Sequence, residues 1–417
     1  MKNEKVLIKG SCEKIGSKSS FIKWKTAQKS IKEKNIYLNN HKEAFDFIKN
    51  LLLGKNFDKT FEENTIKLKD LSEISAIGHR IVHGGKYFKN ARLIDEDVIK
   101  KIQELTELAP LHNQAGLNVI FLCRKLFGNS IPQVAVFDTS FYFDMPPKAY
   151  MYGIPYEYHK KYGIRKYGFH GTSHKFVSRE CAKIMNEDIK NLKIISCHLG
   201  NGSSITAVNK GKAIDTSMGF TPLDGVIMGT RCGALDSSVI TFIEEKEKLK
   251  PKEINEILNK KSGLLGISGV SNDDREIMKS IKSGNDRAIL AHDMMDYQII
   301  KYIGAYSAAM NGLDALIFTA GIGENQWIHR EVICESLSFM GLKIDKTLNK
   351  EKILGETGEI SDKSSKIKVF VISTNEELMI ARETVKQLNP KNSEKEKEKE
   401  KEREKDNVGV YSPSPSQ

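Results

Sequence analysis

A recurring juxtaposition constrains this chain more than any other feature: strand-length apolar runs give way to glycine set beside cations or hydroxyls. The run Ile74 to Ile77 leads into Gly78-His79-Arg80-Ile81-Val82-His83-Gly84-Gly85, which puts an arginine and two histidines beside three glycines. That pattern reads as a strand running into a loop where backbone and cations converge on an anion. Three more stretches share the character: Lys166-Tyr167-Gly168-Phe169-His170-Gly171-Thr172-Ser173-His174, His198-Leu199-Gly200-Asn201-Gly202-Ser203-Ser204 and Met228-Gly229-Thr230-Arg231-Cys232-Gly233. Glycine lets backbone N–H groups approach a phosphate with no Cβ in the way, hydroxyls and Asn donate to its oxygens, and Arg supplies a bidentate fork. Together the four imply an enzyme that handles phosphates.

Strands alternate with helices along the chain. The periodicity predicts a helix over His41 to Leu53, with Ala44, Phe47, Ile48, Leu51 and Leu52 on one face, Asn40 as its cap and Gly54 as its stop. Further helices are predicted at Asp95 to Leu108, Asn113 to Leu126, Ser173 to Met185, Ser237 to Glu245, Asp286 to Asn311, Trp327 to Ser338 and Glu376 to Leu388. Strands are predicted at Val6 to Ile8, Ser20 to Trp24, Gln133 to Phe137, Lys193 to Cys197, Ala315 to Phe318 and Ile367 to Ile372. Asn209-Lys210-Gly211 is a turn signal that should join Ser204 to Val208 and Lys212 to Thr216 as a hairpin. This order implies an α/β fold of two lobes with a cleft between them.

At 417 residues the chain is long enough for two domains, each with its own core. No run approaches the ~20 apolar residues of a membrane span and no signal-peptide core comes after Met1, so the expectation is a cytoplasmic protein without a membrane partner. The net charge of +11 raises the question of nucleic acid. From Lys391 to Asp406 seven basic residues meet seven acidic ones, so the excess belongs to the body, where it forms no basic helix or aromatic-interleaved stripe. Attraction of small anions explains it, and no nucleic-acid partner is expected. The six cysteines are scattered without a Cys-x-x-Cys pair and read as free thiols. After Asn389 the alternation of Glu with Lys or Arg carries no core, and 390–417 is expected to be a disordered tail.

Several residues carry candidate chemistry. Asp138 ends the apolar run Val134 to Phe137, where open α/β sheets place ligands; it suits Mg²⁺ or a reacting group, the alternative being a loop-bracing Asp. Glu376 takes a similar strand-to-helix turn, as a metal ligand or as a first-turn Glu on the helix dipole. Arg80 and Arg231 lie near glycines and suit a carboxylate or the oxygens of a transferring phosphoryl group, against salt bridges that pin loops. His170 and His198 read as loop histidines able to donate to phosphate, or as structural ones; His79, His83, His112 and His174 rank behind them. Gly321-Ile322-Gly323-Glu324-Asn325 opens a helix after a strand, either to approach a nucleotide or simply to turn tightly. The Walker pattern and the protein-kinase motifs do not occur.

These motifs resemble a known family. Ser75 to Gly85, Ala109-Pro110-Leu111-His112-Asn113, Val136 to Thr139, Arg165 to His174, Cys197 to Gly202, Met218 to Leu223, Met228 to Arg231, Ala320 to Asn325 and Thr374 to Glu377 are together similar to the acetokinase family, in order from about Val6 to Gln387. The resemblance implies the two-lobed, actin-like fold of the acetate and sugar kinase superfamily, with a duplicated mixed-sheet core and an interlobe cleft. It implies residues 1–140 as the first lobe, with the helix 376–388 packed there, and 141–375 as a nucleotide-binding and dimerisation lobe. It further implies a homodimer that moves phosphoryl groups between ATP/ADP and acetate/acetyl phosphate with Mg²⁺, or Mn²⁺ in its place.

By motif, Arg80 and Arg231 would hold the carboxylate and phosphoryl group, His170 would stabilise the transition state, and Asp138 and Glu376 would organise the metal. His198, Leu199, Gly200, Asn201 and Gly202, with Asp273, Asp274, Arg275, Gly321, Ile322, Gly323, Glu324 and Asn325, would meet the nucleotide. Val82, Leu111, Phe169 and Pro222 would enclose the acetate methyl; such a pocket discriminates one methylene by only ~1–3 kcal/mol, which leaves propionate or butyrate as alternative substrates. The family sequence begins with a strand and an Asn-(Ala/Ser)-Gly-Ser-Ser-Ser-x-Lys phosphate loop, whereas Met1-Lys2-Asn3-Glu4 resembles the family sequence just beyond that loop. The expectation is a native start upstream of Met1; the alternative is a non-catalytic nucleotide-binding remnant.

Overall fold

The computed structural model describes residues 4–26, 32–54, 68–352 and 355–389; the segment 390–417 and the side chain of Leu111 lie outside the described residues. The chain divides into two compact units, one from Met1–Ile81, Ala91–Val136 and Ile380–Gln417, the other from Val82–Asn90 and Phe137–Met379. Each mixes strands and helices, so the fold is α/β as expected.

In the first unit β1 (Ile8–Glu13), β2 (Phe21–Thr26) and β3 (Lys32–Asn35) form an antiparallel sheet. Helix His41–Leu52 covers it, burying Ala44 and Phe47 with Ile22, Trp24 and Leu38. Asn40 caps this helix by accepting from Glu43 N at 3.1 Å, as its sequence announces. A second sheet orders β4 (Ile77–Ile81), β6 (Gln133–Phe137) and β5 (Arg92–Leu93) with β6 central. Ile380 and Leu388, on helix Glu376–Leu388, pack against Ala91, Val134 and Val136 beside it.

The structure moves β4 relative to the sequence reading. Asp70 caps a 3-10 turn, Leu71–Glu73, by accepting from Ser72 N at 2.7 Å, and Ile74 is spent closing that turn. Pairing starts when Ile77 N donates to Pro132 O at 3.0 Å. His79 and Arg80 therefore lie on a strand, not in a loop, and pleat alternation buries His79 while exposing Arg80.

The second unit is built on a six-stranded sheet. Its order is β11-β12-β10-β7-β8-β9, from β7 (Lys193–Leu199), β8 (Ser203–Asn209), β9 (Lys212–Thr216), β10 (Ala315–Thr319), β11 (Gly358–Glu359) and β12 (Lys368–Val371). The adjacent β12, β10 and β7 run parallel and the others antiparallel. The β8–β9 hairpin turns at Lys210 and Gly211, with φ of 54° and 76°, the doubly positive geometry favoured between right-twisted strands.

Helices cover both faces of this sheet. On one, Met295, Ile299 and Ile303 of helix Asp286–Met310 meet Ile195, Cys197, Leu316 and Val369. On the other, Phe176, Val177 and Cys181 of helix Gly171–Ile184 meet Ile194, Ile317 and Phe370. Continuous apolar runs are what doubly covered parallel strands require, and each such side chain contributes about 1.5–3 kcal/mol on full burial. Four of the cysteines are buried; Cys12 and Cys232 are half-buried, and all are free thiols. Among the described residues no helix is long and apolar enough to cross a membrane.

Candidate active site

Because β7, β10 and β12 are parallel, their carboxyl ends deliver three segments to one edge of the sheet: the turns Gly200 to Gly202 and Ser373 to Asn375, and the single helical turn Ala320–Asn325. A cavity of about 530 Å³ opens there, lined by Gly200, Asn201, Asn272, Asp273, Asp274, Arg275, Gly321, Ile322, Asn325 and Gln326. Two of these, Asn272 and Gln326, carry no motif and escape sequence reading. Asn272 Nδ2 donates to Asn201 Oδ1 at 3.4 Å, and Arg275 Nη2 to Asp273 Oδ2 at 2.6 Å.

Gly323 and Glu324 do not line this cavity. Glu324 accepts from Ala320 N (2.8 Å), Ser373 Oγ (2.8 Å) and Thr374 N (3.2 Å), so it clamps two of the turns together. Behind the turn the fully buried Arg330 donates to the carbonyls of Gly323, Glu324, Asn349 and Lys352 and to Asn349 Oδ1, at 2.6–3.0 Å. Burial pulls its pKa down to about 10. Asp274 is also tied from behind, by His329 Nε2 at 3.1 Å from its Oδ1.

On the other side of Gly202 a chain of imidazoles and hydroxyls begins. His170 caps helix Gly171–Ile184 in the left-handed conformation, φ 54°. Its Nδ1 lies 2.9 Å from Ser204 Oγ, which in turn lies 2.7 Å from His174 Nε2, and His174 Nδ1 meets Ser196 Oγ at 2.5 Å. Burial holds the His174 pKa well below the ordinary histidine range, with His198 adding to the effect. His198 is not a loop residue: it sits in β7 opposite Ser204 and Thr319, buried, stacked on His170 at 4.1 Å, and its Nδ1 meets Ser173 Oγ at 2.8 Å. Ser173 also bonds Thr374 Oγ1 at 2.8 Å. The glycines that suggested a loop begin only after Leu199, where the strand stops.

Arg231 and His170 converge on Gly202. A Cβ built there would lie 3.3 Å from Arg231 Nη2 and 3.4 Å from both Cε1 and Nε2 of His170. Arg231 Nη1 donates to Pro222 O at 2.7 Å, and burial lowers its pKa without taking it out of the charged state. Pro222 thus enters through its carbonyl. The apolar group beside these residues joins Phe169, Met218 and Met228 with Val82 packed against them; the two methionines stand in motifs the sequence displays, but nothing in their spacing marks them as members of this buried cluster. His83 lies edge-on to Phe169 at 5.4 Å. Its Nδ1 accepts from Gly85 N at 3.0 Å, which leaves Nε2 to donate to Phe220 O at 3.3 Å. Burial drives its pKa down to about 4. Cys232, beside Arg231, is a half-buried thiol whose pKa burial raises, so it is no thiolate.

Asp138 is fully buried at the end of β6, where Gly171 presses on its carbonyl so closely that no Cβ fits between them. Glu376 opens the helix after Ser373 to Asn375. Two carboxylates at strand ends give hard oxygen donors, a set that fits a magnesium-like cation. Arg80 and Leu111 belong to the first unit: Arg80 exposed on β4, Leu111 in the first turn of helix Pro110–Phe127.

Comparison with known proteins accounts for this arrangement. The chain is 51% identical to the acetate kinase of Thermotoga maritima over 386 residues, covering 92% of this chain and 93% of that one. It is 48% identical to the acetate kinase of Halothermothrix orenii, with 93% and 94% covered. Among solved structures, Porphyromonas gingivalis acetate kinase superposes with a TM-score of 0.82 at 45% identity, over 92% of this chain and 94% of the other. A propionate kinase from Francisella tularensis superposes with a TM-score of 0.81 at 43% identity, over 91% and 92%. The family model described as the acetokinase family matches residues 1–382, and with strand-end turns, imidazole chain and arginine in place, the chain belongs to that family.

Proposed function

We propose that the protein is a carboxyl-group phosphotransferase that moves the γ-phosphoryl group of ATP reversibly to acetate, giving acetyl phosphate and ADP. An acetate oxygen forms a bond to the γ-phosphorus while the bond from that phosphorus to the β,γ-bridging oxygen breaks, and ADP leaves with the electron pair. Acetate is already ionised at neutral pH, so no general base is needed. The difficulty is bringing two anions together, and preorganised cations meet it.

The convergence of Arg231 and His170 on Gly202, beside the Phe169, Met218, Met228 and Val82 group, is the observation that carries this reading. Arg231 takes the equatorial phosphoryl oxygens, and His170, oriented by Ser204, donates to the same charge. Gly200, Asn201, Gly321, Ile322 and Asn325 receive the nucleotide with Asp273, Asp274 and Arg275. Arg80 and Leu111 are assigned to acetate on the resemblance. Asp138 and Glu376 hold Mg²⁺, with Mn²⁺ as substitute, which when bound neutralises phosphate charge. A homodimer, the cytoplasm as location, and a first lobe of 1–140 with a nucleotide and dimerisation lobe of 141–375 complete the proposal.

The test is Mg·ATP-dependent formation of acetyl phosphate by the purified chain, trapped as the hydroxamate. Turnover that disappears in Arg231→Ala supports the reading; a folded protein that forms no acyl phosphate from any short carboxylate refutes it. The likeness to a propionate kinase favours a second substrate: propionate within ~10–200-fold of acetate in kcat/KM, since one methylene is worth about 1–3 kcal/mol.

A further inference from the structure

Beneath the wall of the nucleotide cavity lie three ionisable side chains that phosphoryl transfer does not use, joined to a fourth, Asp274, from the wall itself. His292 and Asp296 stand one turn apart on helix Asp286–Met310, His329 comes from helix Trp327–Ser336, and Asp274 opens helix Asp274–Lys282. Their exposures are 6%, 2%, 1% and 5%. One ligand-type atom from each of His292, Asp296 and His329 falls within 4.8 Å of the others.

The Asp296 carboxylate is the centre. Its Oδ1 lies 2.5 Å from His329 Nδ1 and its Oδ2 lies 3.6 Å from His292 Nδ1. The two rings stack at 4.0 Å and 17°. Three buried polar atoms of the cluster have no hydrogen-bond partner: Asp296 Oδ2, Asp274 Oδ2 and His292 Nε2. Buried polar atoms are rarely left so, and carboxylate oxygens gathered with imidazoles call for a cation.

We propose that His292, Asp296 and His329 bind one divalent transition-metal ion of the zinc type. Two imidazoles and a carboxylate make an N₂O set that suits Zn²⁺ and is too rich in nitrogen for Mg²⁺. His329 then keeps its other ring nitrogen on Asp274, the carboxylate contact that commonly fixes the ring of a metal-bound histidine. Asp293 supplies the route in and a fourth ligand, an oxygen. Its side chain is 71% exposed while its Oδ1 lies 3.7 Å from His292 Nδ1. Bound there, the ion ties helix Asp286–Met310 to helix Trp327–Ser336 behind Asp274, and so behind the nucleotide cavity.

The full chain, purified without chelators or a metal-affinity tag, is expected to contain about one zinc per chain. After chelation and gel filtration in excess Mg²⁺, Co²⁺ added alone should restore one equivalent with the intense visible bands of four-coordinate cobalt. His292→Gln and Asp296→Asn should abolish those bands, and Asp138→Asn, at the proposed magnesium site, should keep them. If either cluster variant misfolds, the unmodified protein still decides: Zn²⁺ must raise its thermal midpoint in excess Mg²⁺. Zinc at background with a six-coordinate, aqua-like cobalt spectrum overturns the proposal, leaving a proton on His329 as the cluster's cation. Bands that survive in His292→Gln overturn it equally.

Discussion

At the end of one sheet, the turn Ala320–Asn325 presents backbone to its cavity, whereas the chain from His170 through Ser204 and His174 to Ser196 presents side chains that share hydrogens. The turn is shaped from behind, by Arg330 on its carbonyls and Glu324 across Ser373 and Thr374. The imidazole chain is shaped from within, because each ring nitrogen is aimed by the hydroxyl it meets. A surface held from behind tolerates changes at its face and fails when its support goes. A chain held from within fails at any link.

Removing the support should have the largest effect. Arg330→Met leaves four carbonyls and an Asn349 oxygen without their donor, and at about 1–3 kcal/mol for each orphaned buried group the protein should lose roughly 4 kcal/mol or more, read as a fall in denaturant midpoint. A loss under about 1 kcal/mol would mean the turn holds itself.

Acid should have the next largest effect, at a histidine outside both regions. His83 has its pKa lowered from 6.5 to about 4, so the folded state favours its neutral form. Its contribution is fully present above pH 6.5 and disappears as pH falls to about 4, worth roughly 3 kcal/mol at one pKa unit per 1.36 kcal/mol. Equilibrium unfolding between pH 7 and 4 should show this slope, and His83→Gln should flatten it. An unchanged slope would place the acid-labile group elsewhere.

A single methyl should test the face of the imidazole side. Gly202→Ala sets a Cβ 3.3–3.4 Å from Arg231 and His170, so each must give by a few tenths of an ångström, and kcat should fall several-fold with the thermal midpoint kept, short of the ~100-fold that a displacement near 1 Å costs. The smallest effect belongs to the face of the nucleotide side. Arg275, exposed and paired with Asp273, should on change to Ala raise KM for ATP only a few-fold, consistent with the ~0–1 kcal/mol of a surface ion pair. A kcat loss there as large as that of Gly202→Ala would erase the distinction.

The same contrast explains what the sequence disclosed. Backbone features announce themselves: Asn40 before an amphipathic run and Lys210-Gly211 between alternating strands both name their conformations. Features made by convergence from distant positions do not. Arg330 looks like one more charge on a helix, and nothing near it says that five acceptors close around it. Ser173, Ser204 and Thr374 are ordinary hydroxyls until three separate elements bring them to His170 and His198. His292 and Asp296 read as the polar stripe of a helix, and only the arrival of His329 and Asp274 makes them a buried cluster. Ile74 misleads for a related reason: a cap at Asp70 consumes the apolar run before pairing begins.

The contact between Gly171 and the Asp138 carbonyl carries a consequence for how this site can change over time. Gly171 comes directly after His170, so one van der Waals contact sets the spacing from the residue proposed to hold the metal to the residue proposed to hold the phosphoryl group. Neither can drift by small steps while the other stays, because any side chain at 171 separates both at once. On the proposed function, substrate range can be explored through Val82, Met218 and Met228, which pack with Phe169 outside this contact, while the distance between the two proposed functions is inherited as a single unit.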